Sequence, residues 1–595
     1  MQVIATAGHV DHGKSTLIRA LTGIEPDRLA EERRRGLTID LGFAWTALPS
    51  GAEISFVDVP GHERFLGNML AGLGPAPIVC FVVAADEGWQ AQSSDHRDAL
   101  AALGIDQGLI VVTRRDLAPE RVADVIAQAR AELSGTGLAH APALAVSAVT
   151  GQGLSELRNQ LDAVVAAARA PEADHRVRLW VDRAFSISGA GTVVTGTLAA
   201  GTLRRGDQLA LCGAGLSRDV VVRGVQSRGG ALEQLGPVSR AAVNLRGVST
   251  EEIGRGDALL TPGAWEITAQ LDVRRTTGRA LDDAAPEIMV HMGTAAVPAR
   301  VRPFGADHAR LTLARPLPVR VGDPIVLRGS GSRSVHGGAL VLDVDPPVLG
   351  RRGDGARRRA TLESMPAGGD AGVEVQRRGA LREASLERFG IIVRSPLPEG
   401  LHRAQGWLFS TDALGRWTTE LHALLDRDRA SDPLSSGIPR KAAVDALALP
   451  DATLLDTVIA AAGLERRDGR VLDGSVARGL GAAEAGISSL EQRLLIAPFA
   501  APEAEELAAL HLGPRELAAA AAQGRLLRLP GEVVLLPSSP ALAMRELAAL
   551  PQPFTASTAR RALGTTRRTV IPLLEHLDSR GWTRRVTAGL REIVR

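Results

Sequence analysis

The sequence predicts a multidomain chain: an α/β P-loop domain, two small antiparallel β-barrels, and a C-terminal array of winged-helix (α+β) domains. Three observations point there. A phosphate-loop signature, Gly8-His9-Val10-Asp11-His12-Gly13-Lys14-Ser15, lies between an apolar run and a helical pattern. From Val177 the texture changes to short β-rich runs broken by glycine turns. Past the second of these sets, Ala/Leu/Glu/Arg helices recur about every 60 residues, each closed by a short β-like pair.

At 595 residues the chain has room for several domains of the usual ~100–200 residues. Hydrophobic residues make up 45% of it, enough to fill real cores, which excludes a globally disordered chain. No apolar stretch reaches the ~18 residues a membrane-spanning helix needs, and Met1 runs straight into a strand. Neither a membrane span nor a signal peptide is therefore expected. Cys80 and Cys212, the two cysteines, stand far apart and form no disulfide framework and no metal spacing, which fits a reducing, cytoplasmic setting. The net charge of +2 conceals an uneven distribution of basic residues.

Residues 1–172 alternate apolar strands with helical patterns. Strands are expected at Ile54–Val59, Pro77–Ala85, Leu109–Thr113 and Ala143–Val146, and helices at Phe65–Ala71, Gln92–Leu103, Pro119–Leu133 and Gly153–Ala168. Continuous apolar strands between helices predict a mostly parallel sheet covered on both faces. Gly8, His9, Val10, Asp11, His12, Gly13, Lys14, Ser15 and Thr16 are the candidate phosphate contacts, because loop amides and a helix N-terminus favour anions. Lys14 would place a point charge on the β/γ oxygens and Ser15 a hydroxyl on Mg²⁺. Lys14 and Lys441 are the two lysines among 69 basic residues, so the chain keeps a slim ammonium where one must fit between phosphates.

Three further motifs fall at strand ends. In Asp58-Val59-Pro60-Gly61-His62, Asp58 can hold Mg²⁺ through water, the Gly61 amide can sense a γ-phosphate, and His62 stands where an attacking water would be oriented. In Thr113-Arg114-Arg115-Asp116, Asp116 would read guanine, with Arg114 where guanine-binding proteins usually carry Lys and its aliphatic stem packing over the base. Ser147-Ala148 matches a base-contacting element. In Arg35-Gly36-Leu37-Thr38-Ile39-Asp40, Thr38 would complete the Mg²⁺ shell only with the γ-phosphate present, making 24–40 a switch; the charged run Glu31–Arg35 reads as a solvated face.

Together GHVDHGKS, RGLTID, DVPGH, TRRD and SA resemble the translational GTPases of the elongation factor Tu superfamily, and Arg35–Phe43 is most similar to its selenocysteine-specific branch. The resemblance implies an α/β P-loop GTPase domain with GTP/GDP and Mg²⁺ as ligands and hydrolysis stimulated by the ribosome. It makes His62, Asp11, Lys14 and Thr38 the catalytic candidates, with His62 near the lytic water and Asp11 close to the phosphates beside a monovalent cation. Val10 and Leu37 would form an apolar gate.

Short strands at Arg178–Asp182, Gly191–Leu198, Gln208–Leu211, Val220–Gln226 and Ala241–Leu245 predict one barrel over 173–263; Met289–Met292, Val297–Val301, Ala309–Leu313, Pro324–Leu327 and Ala339–Val344 predict a second over 264–349. Arg-Gly-Asp occurs at 205–207, 255–257 and 352–354 and reads as turns. The stretch from Val181 to Gly196 resembles the second domain of the same superfamily, where a basic pocket receives the aminoacyl side chain. By that match Asp182, Arg183 and Arg240 would line it, with Asp182 steadying two guanidiniums that favour an ionised selenol over a neutral hydroxyl or thiol. An ordinary surface ion pair would look the same in sequence. His291 and Arg328 are weaker tRNA candidates.

The remainder divides as winged helices over 350–435, 436–490, 491–548 and 549–595. Residues 551–595 hold nine arginines against three acids, an electrostatic footprint for nucleic acid. Helix, turn and recognition helix fall at Thr558–Leu563, Gly564 and Thr565–Arg580, and a wing at Trp582–Val586 and Arg591–Val594. Arg560, Arg561, Arg567, Arg568, Arg584 and Arg585 are the candidate contacts. The resemblance implies selenocysteyl-tRNA, a hairpin in the mRNA (SECIS) and the ribosome as partners of a monomeric protein acting at UGA codons. Two other readings stay open: another tRNA-carrying translational GTPase of initiation type, and a winged-helix nucleic-acid regulator with a GTPase sensor domain.

Overall fold

Four apolar runs form the heart of the first sheet because both of its faces are covered. In the computed structural model, which describes residues 2–27, 30–35, 37–168, 173, 176–189, 191–213, 216–329, 331, 334–432, 435, 437–474, 480–587 and 589–594, the elements run in this order. They are β1 Gln2–Ala7, α1 Lys14–Thr22, α2 Ala30–Arg35, β2 Gly42–Ala47, β3 Glu53–Asp58 and α3 Leu66–Leu73, then β4 Ile78–Ala84, α4 Ala91–Leu103, β5 Gln107–Thr113, α5 Val122–Leu133, β6 Ala143–Ala145 and α6 Leu154–Ala167. The strand order is β2-β3-β1-β4-β5-β6, parallel except for β2. On one face Leu17, Ile18 and Leu21 of α1 join Leu157 and Leu161 of α6; on the other, Met69, Leu100 and Ala129 stand for α3, α4 and α5. Strands buried on both faces carry no polar alternation, which is why they read as continuous apolar runs.

Two elements depart from the sequence expectation. β2 went unassigned: it is an edge strand paired antiparallel to β3 from Gly42↔Asp58 to Ala47↔Glu53. The charged run 31–35 forms a helix, and one member departs from the solvated face expected: Glu32 is 3% exposed and its Oε1 accepts the amides of Ile39 and Asp40, both at 3.1 Å, whereas Arg34 is exposed.

Two barrels follow. The first comprises β7 Arg178–Ile187, β8 Gly191–Leu198, β9 Leu203–Arg204, β10 Gln208–Gly213, β11 Leu216–Ser227, β12 Gly230–Leu232, β13 Gln234–Leu235, β14 Ser239–Arg246 and β15 Ala258–Leu260. Its sheet runs β10-β15-β7-β8-β14-β11-β12, and a further β10–β11 pairing closes it. The second is a closed barrel in the order β16-β19-β18-β17-β20-β21, from β16 Glu266–Gly278, β17 Glu287–Met292, β18 Ala295–Pro303, β19 His308–Val319, β20 Pro324–Gly329 and β21 Val335–Asp343. Closure leaves few edges to manage. The three Arg-Gly-Asp tripeptides are one repeated turn. Gly206, Gly256 and Gly353 each take a positive φ, and each Asp carboxylate accepts the amide three residues earlier.

The described residues divide into two compact units, Met1–Glu399 and Gly400–Arg595; the division falls inside the segment 350–435. Near the end of the first unit, Arg310 and Arg358 converge on the buried Asp272 of β16, which fastens the helix Asp354–Ser364 to the second barrel. Within the second unit, the C-terminal winged helix comprises Ala556–Ala562, the recognition helix Arg567–Ser579, and a wing of Thr583–Thr587 paired with Leu590–Ile593. Thr555 and Thr566 cap the two helices. Their apolar faces share one core with Ile487, Leu494 and Leu535 from the preceding segment. No helix among the described residues is long and apolar enough to cross a membrane.

Both thiols are buried, and burial pushes Cys80 up to about 12 and Cys212 upward as well. Native protein at pH 8 should therefore leave an aromatic disulfide reagent unreacted, while denatured protein consumes two equivalents. A rapid native reaction would contradict this packing.

Candidate functional site

β1 ends at Ala7, and the chain turns through 8–13 into α1, so the loop sits at the carboxyl edge of the parallel sheet. Backbone space there is scarce. A methyl group on Gly61 would lie 2.5 Å from both Lys14 Nζ and the Val10 amide nitrogen, and one on Gly8 would lie 2.1 Å from Val82 O. Only glycine lets these segments approach. Helix α4 steadies the loop from behind: the Gly8 amide donates to His96 Nδ1 at 3.1 Å, and the Val10 amide to Gln92 Oε1 at 3.2 Å. Neither residue was singled out from sequence.

The loop borders a cavity of about 590 Å³. Of the candidates, Val10, Asp11, Gly13, Lys14, Ser15 and Thr16 line one side, with Thr38 and Gly61 beside them. Thr113, Arg114, Asp116 and Ala148 line the other, residues far from the phosphate loop in sequence. Gly8, His9, His12, Asp58 and Ser147 stand behind that lining. His12 is fully buried, and burial together with His9 brings its pKa down to about 3, so it is neutral. Ser147 Oγ accepts the Thr150 amide at 3.1 Å and shapes the turn that presents Ala148. His62 is not among the lining residues: its Nδ1 accepts the Arg64 amide at 3.2 Å, capping a short turn.

Lys14 Nζ donates to Gly8 O at 3.0 Å and His9 O at 2.7 Å. Burial lowers its pKa to about 8, against the opposing pull of Asp58, Asp11 and Asp27, so it stays cationic at neutral pH. Ser15 Oγ and Thr38 Oγ1 are 3.0 Å apart, and Thr38 Oγ1 donates to Asp27 Oδ1 at 3.0 Å. Asp58 Oδ1 accepts from Thr6 at 2.7 Å, whereas its buried Oδ2 accepts no hydrogen bond among the described residues. Burial, and then the charge of Asp58, raises Asp27 to about 6; burial raises Asp58 too. Two hydroxyls and two under-compensated carboxylates form a donor set that suits a hard divalent cation such as Mg²⁺.

At the base end Thr113 Oγ1 donates to His12 O at 2.7 Å, joining β5 to the loop. Arg114 lines the cavity. Its guanidinium pairs with Asp86 at 3.0 Å and Glu87 at 2.7 Å and also reaches Asp11 O. The acid pair directly after β4 was a legible signal for an arginine at this position. Leu117 and Val149, 65% and 84% exposed, flank the cavity with apolar surface that a flat base would cover.

On the first barrel, Asp182 takes both terminal nitrogens of Arg240, with Nη2 at 3.2 Å, and accepts from Thr195 at 2.6 Å. It does not hold Arg183. The register of β7 shifts between Val181 and Arg183, and at this irregularity the Asp182 carboxylate is taken up by Arg240 and Thr195. Arg183 instead pairs with Asp40, at 3.0 Å, from the loop that carries Thr38. Both guanidiniums lie on the Phe43 ring, Arg240 at 3.9 Å and Arg183 at 5.1 Å. His291 is 4% exposed and packs near Gly67 of α3, with burial bringing its pKa down to about 4; it presents no surface to tRNA.

Of the six C-terminal arginines, Arg568 pairs with Glu503, Arg584 with Glu592, and Arg585 with Glu575 and Asp578. Arg560, Arg561 and Arg567 are exposed and make no ion pair among the described residues. Trp582, 38% exposed beside the wing, adds an aromatic surface that charge counting passed over.

The chain is similar to several known proteins. The family model for the elongation factor Tu GTP binding domain matches residues 1–167, and that for elongation factor Tu domain 2 matches 191–260. Models for the selenocysteine-specific elongation factor beta-barrel domain and the elongation factor SelB winged helix match 268–348 and 545–588. The selenocysteine-specific elongation factor of Escherichia coli K12 is 38% identical over 352 residues, covering 59% of this chain and 56% of that protein. The chain thus spans little more than half the length of that relative. Elongation factor 1-alpha of Methanopyrus kandleri is 32% identical, with 70% of its length covered. A solved bacterial selenocysteine-specific elongation factor, EF-Sec, superposes with a TM-score of 0.76 at 26% identity, over 100% of both chains.

The geometry carries two expectations. Lys14→Ala should weaken guanine-nucleotide binding by about 100-fold, the loss of roughly two charge-assisted hydrogen bonds, read by fluorescent-nucleotide titration. Asp116→Asn should shift preference from GTP towards xanthosine triphosphate in a competition assay; unchanged selectivity would remove Asp116 from the base site.

Proposed function

The chain belongs to the SelB branch of the elongation factor Tu superfamily of translational GTPases, and from that premise we propose that it delivers selenocysteyl-tRNA, in a GTP-dependent manner, to ribosomes at UGA codons marked by an mRNA hairpin. The observation that carries this reading is the pair Arg183 and Arg240 over Phe43. Two guanidiniums gathered on one aromatic ring suit an aminoacyl group that is anionic at neutral pH, as a selenol is and a serine hydroxyl is not.

In this reading Lys14 and the loop amides bind the β- and γ-phosphates, and Asp116 with Ala148 orients guanine between Leu117 and Val149. Ser15, Thr38 and Asp58 would hold Mg²⁺, which supplies charge neutralisation to the transferring phosphoryl group. Asp11 lies along the phosphates, the place for a monovalent cation. His62, held outside the cavity by its cap to Arg64, orients the attacking water once the ribosome brings it past Val10 and Leu37. Arg560, Arg561 and Arg567 engage hairpin phosphates, and Trp582 offers a stacking surface for an exposed base. The protein acts in the cytoplasm as a monomer.

The decisive experiment compares selenocysteyl-tRNA with seryl-tRNA on the same tRNA body, each with the GTP-bound protein. A strong preference for the selenocysteyl form is expected, and equal affinity would sink the reading. Separately, Arg560 and Arg567 changed together to Ala should weaken hairpin binding and reduce its log-log salt slope by about two, with GTP hydrolysis unchanged.

A further inference from the structure

The segment following Thr38 carries more contacts to the barrel than an edge of a switch loop needs. Asp40 Oδ2 accepts from Arg183 Nε at 3.2 Å and Nη2 at 3.0 Å, while Asp40 Oδ1 accepts from Arg255 Nη2 at 2.5 Å. Arg183 Nη2 also reaches Leu41 O. Among the described residues nothing accepts from Arg183 Nη1, which leaves one N–H face of that guanidinium for a ligand. Arg255 ties the arrangement to a second element: its Nη1 donates to Asn68 Oδ1 of α3 at 2.7 Å, and Asn68 Nδ2 in turn donates to Ile39 O at 2.8 Å. Its Nε donates to Asp182 O at 3.0 Å, so the same guanidinium touches the strand that bears Arg183.

We propose that Asp40 is a positioning residue for the aminoacyl pocket: it orients Arg183 towards the incoming anionic side chain, and does so only while Thr38 is docked beside Ser15. The inference rests on the reading of Arg183 and Arg240 as that pocket. Its physical basis is geometric. One carboxylate oxygen accepting from both Nε and Nη2 restricts the swing of the Arg183 guanidinium, while Arg255 holds the other oxygen, and a restricted guanidinium loses less freedom on binding than a loose one. Asp40 is two residues from Thr38, and the amides of Ile39 and Asp40 are pinned to the buried Glu32, so the carboxylate cannot stay with Arg183 if the loop withdraws from the nucleotide site. Asn68 and Arg255 make the helix after Gly61 a second condition on the same carboxylate. The pocket's charge is thereby tied to the state of the phosphate site through one acid side chain, with no contact between ligand and nucleotide required.

The test measures dissociation constants of selenocysteyl-tRNA and seryl-tRNA for the full chain with GTP and with GDP, in wild type, Asp40→Asn, Asp40→Glu and Arg183→Ala. Asp40→Asn is expected to weaken selenocysteyl-tRNA binding in the GTP form by about tenfold, the scale of one charge-assisted hydrogen bond. It should leave the GDP form and seryl-tRNA nearly unmoved, so that the GTP-to-GDP affinity ratio shrinks. Asp40→Glu, which keeps the charge, should recover most of that ratio. Equal weakening for both tRNAs would mean general damage to the interface and would overturn the proposal. So would an unchanged ratio in Asp40→Asn while Arg183→Ala abolishes selectivity, an outcome that leaves the pocket itself standing. No effect of Arg183→Ala on selenocysteyl-tRNA would take down the pocket and the coupling together.

Discussion

A buried ammonium whose nearest partners are carbonyl oxygens sets the terms for the first domain. Lys14 Nζ sits between Gly8 O and His9 O with its charge deprived of water, and three carboxylates, Asp58, Asp11 and Asp27, oppose the cost of that burial. Desolvated charge of this kind is costly unless something compensates it. The same holds in reverse for Asp58 and Asp27, which burial pushes towards their neutral forms. Lys14, Asp11 and Asp27 line one cavity with Asp58 behind it, and among the described residues Lys14 forms no ion pair with any of them. That separation leaves room for a ligand that carries both signs, a polyphosphate with its metal. The parallel sheet makes the separation possible, because β1, β3 and β5 deliver their loops to one edge while helices bury both faces.

The charge economy of the chain follows from its preference for arginine. Guanidiniums pair bidentately with carboxylates, bridge two of them and stack on rings: Arg310 pairs bidentately with Asp272, Arg178 with Asp323 and Arg240 with Asp182, Arg358 bridges Asp272 and Asp343, and Arg240 lies on Phe43. Between the second barrel and the helix that follows it, the pairs add to a small apolar cluster of Phe304, Leu342, Leu362 and Met365. The phosphate loop is the exception, keeping the compact point charge of a lysine. In the C-terminal unit the same habit has a different consequence. Half of the arginines on the last winged helix are taken up by neighbouring acids, so its basic face is narrower than its composition, and it centres on the turn between Ala556–Ala562 and Arg567–Ser579.

The contact between switch loop and barrel gives the two halves of the proposed function a physical connection. Thr38, Asp40 and Phe43 lie within six residues of one another, yet they face the phosphate site, a pair of barrel arginines and the underside of a guanidinium stack respectively. A segment with three such commitments has few intermediate arrangements open to it, which favours discrete states over gradual ones.

Local chemistry was legible in the chain itself. The phosphate loop, the strand-end acids, the barrel strands and the basic last helix pair each depend on residues close in sequence, and patterns of glycine, apolar run and charge report such features directly. β2 escaped because an edge strand borrows its order from β3, and Glu32 escaped because a buried acid in a charged run looks like its solvated neighbours. Which carboxylate holds Arg183 was decided only by tertiary structure: Asp182 adjoins it in sequence but is taken up by Arg240 and Thr195, while Asp40 lies 143 positions away and meets it in space. Ion pairs are chosen by distance in three dimensions and by which competing donors already hold a carboxylate. Composition fixes neither of these, so the chain alone determined which chemistry is present and the fold determined which groups share it.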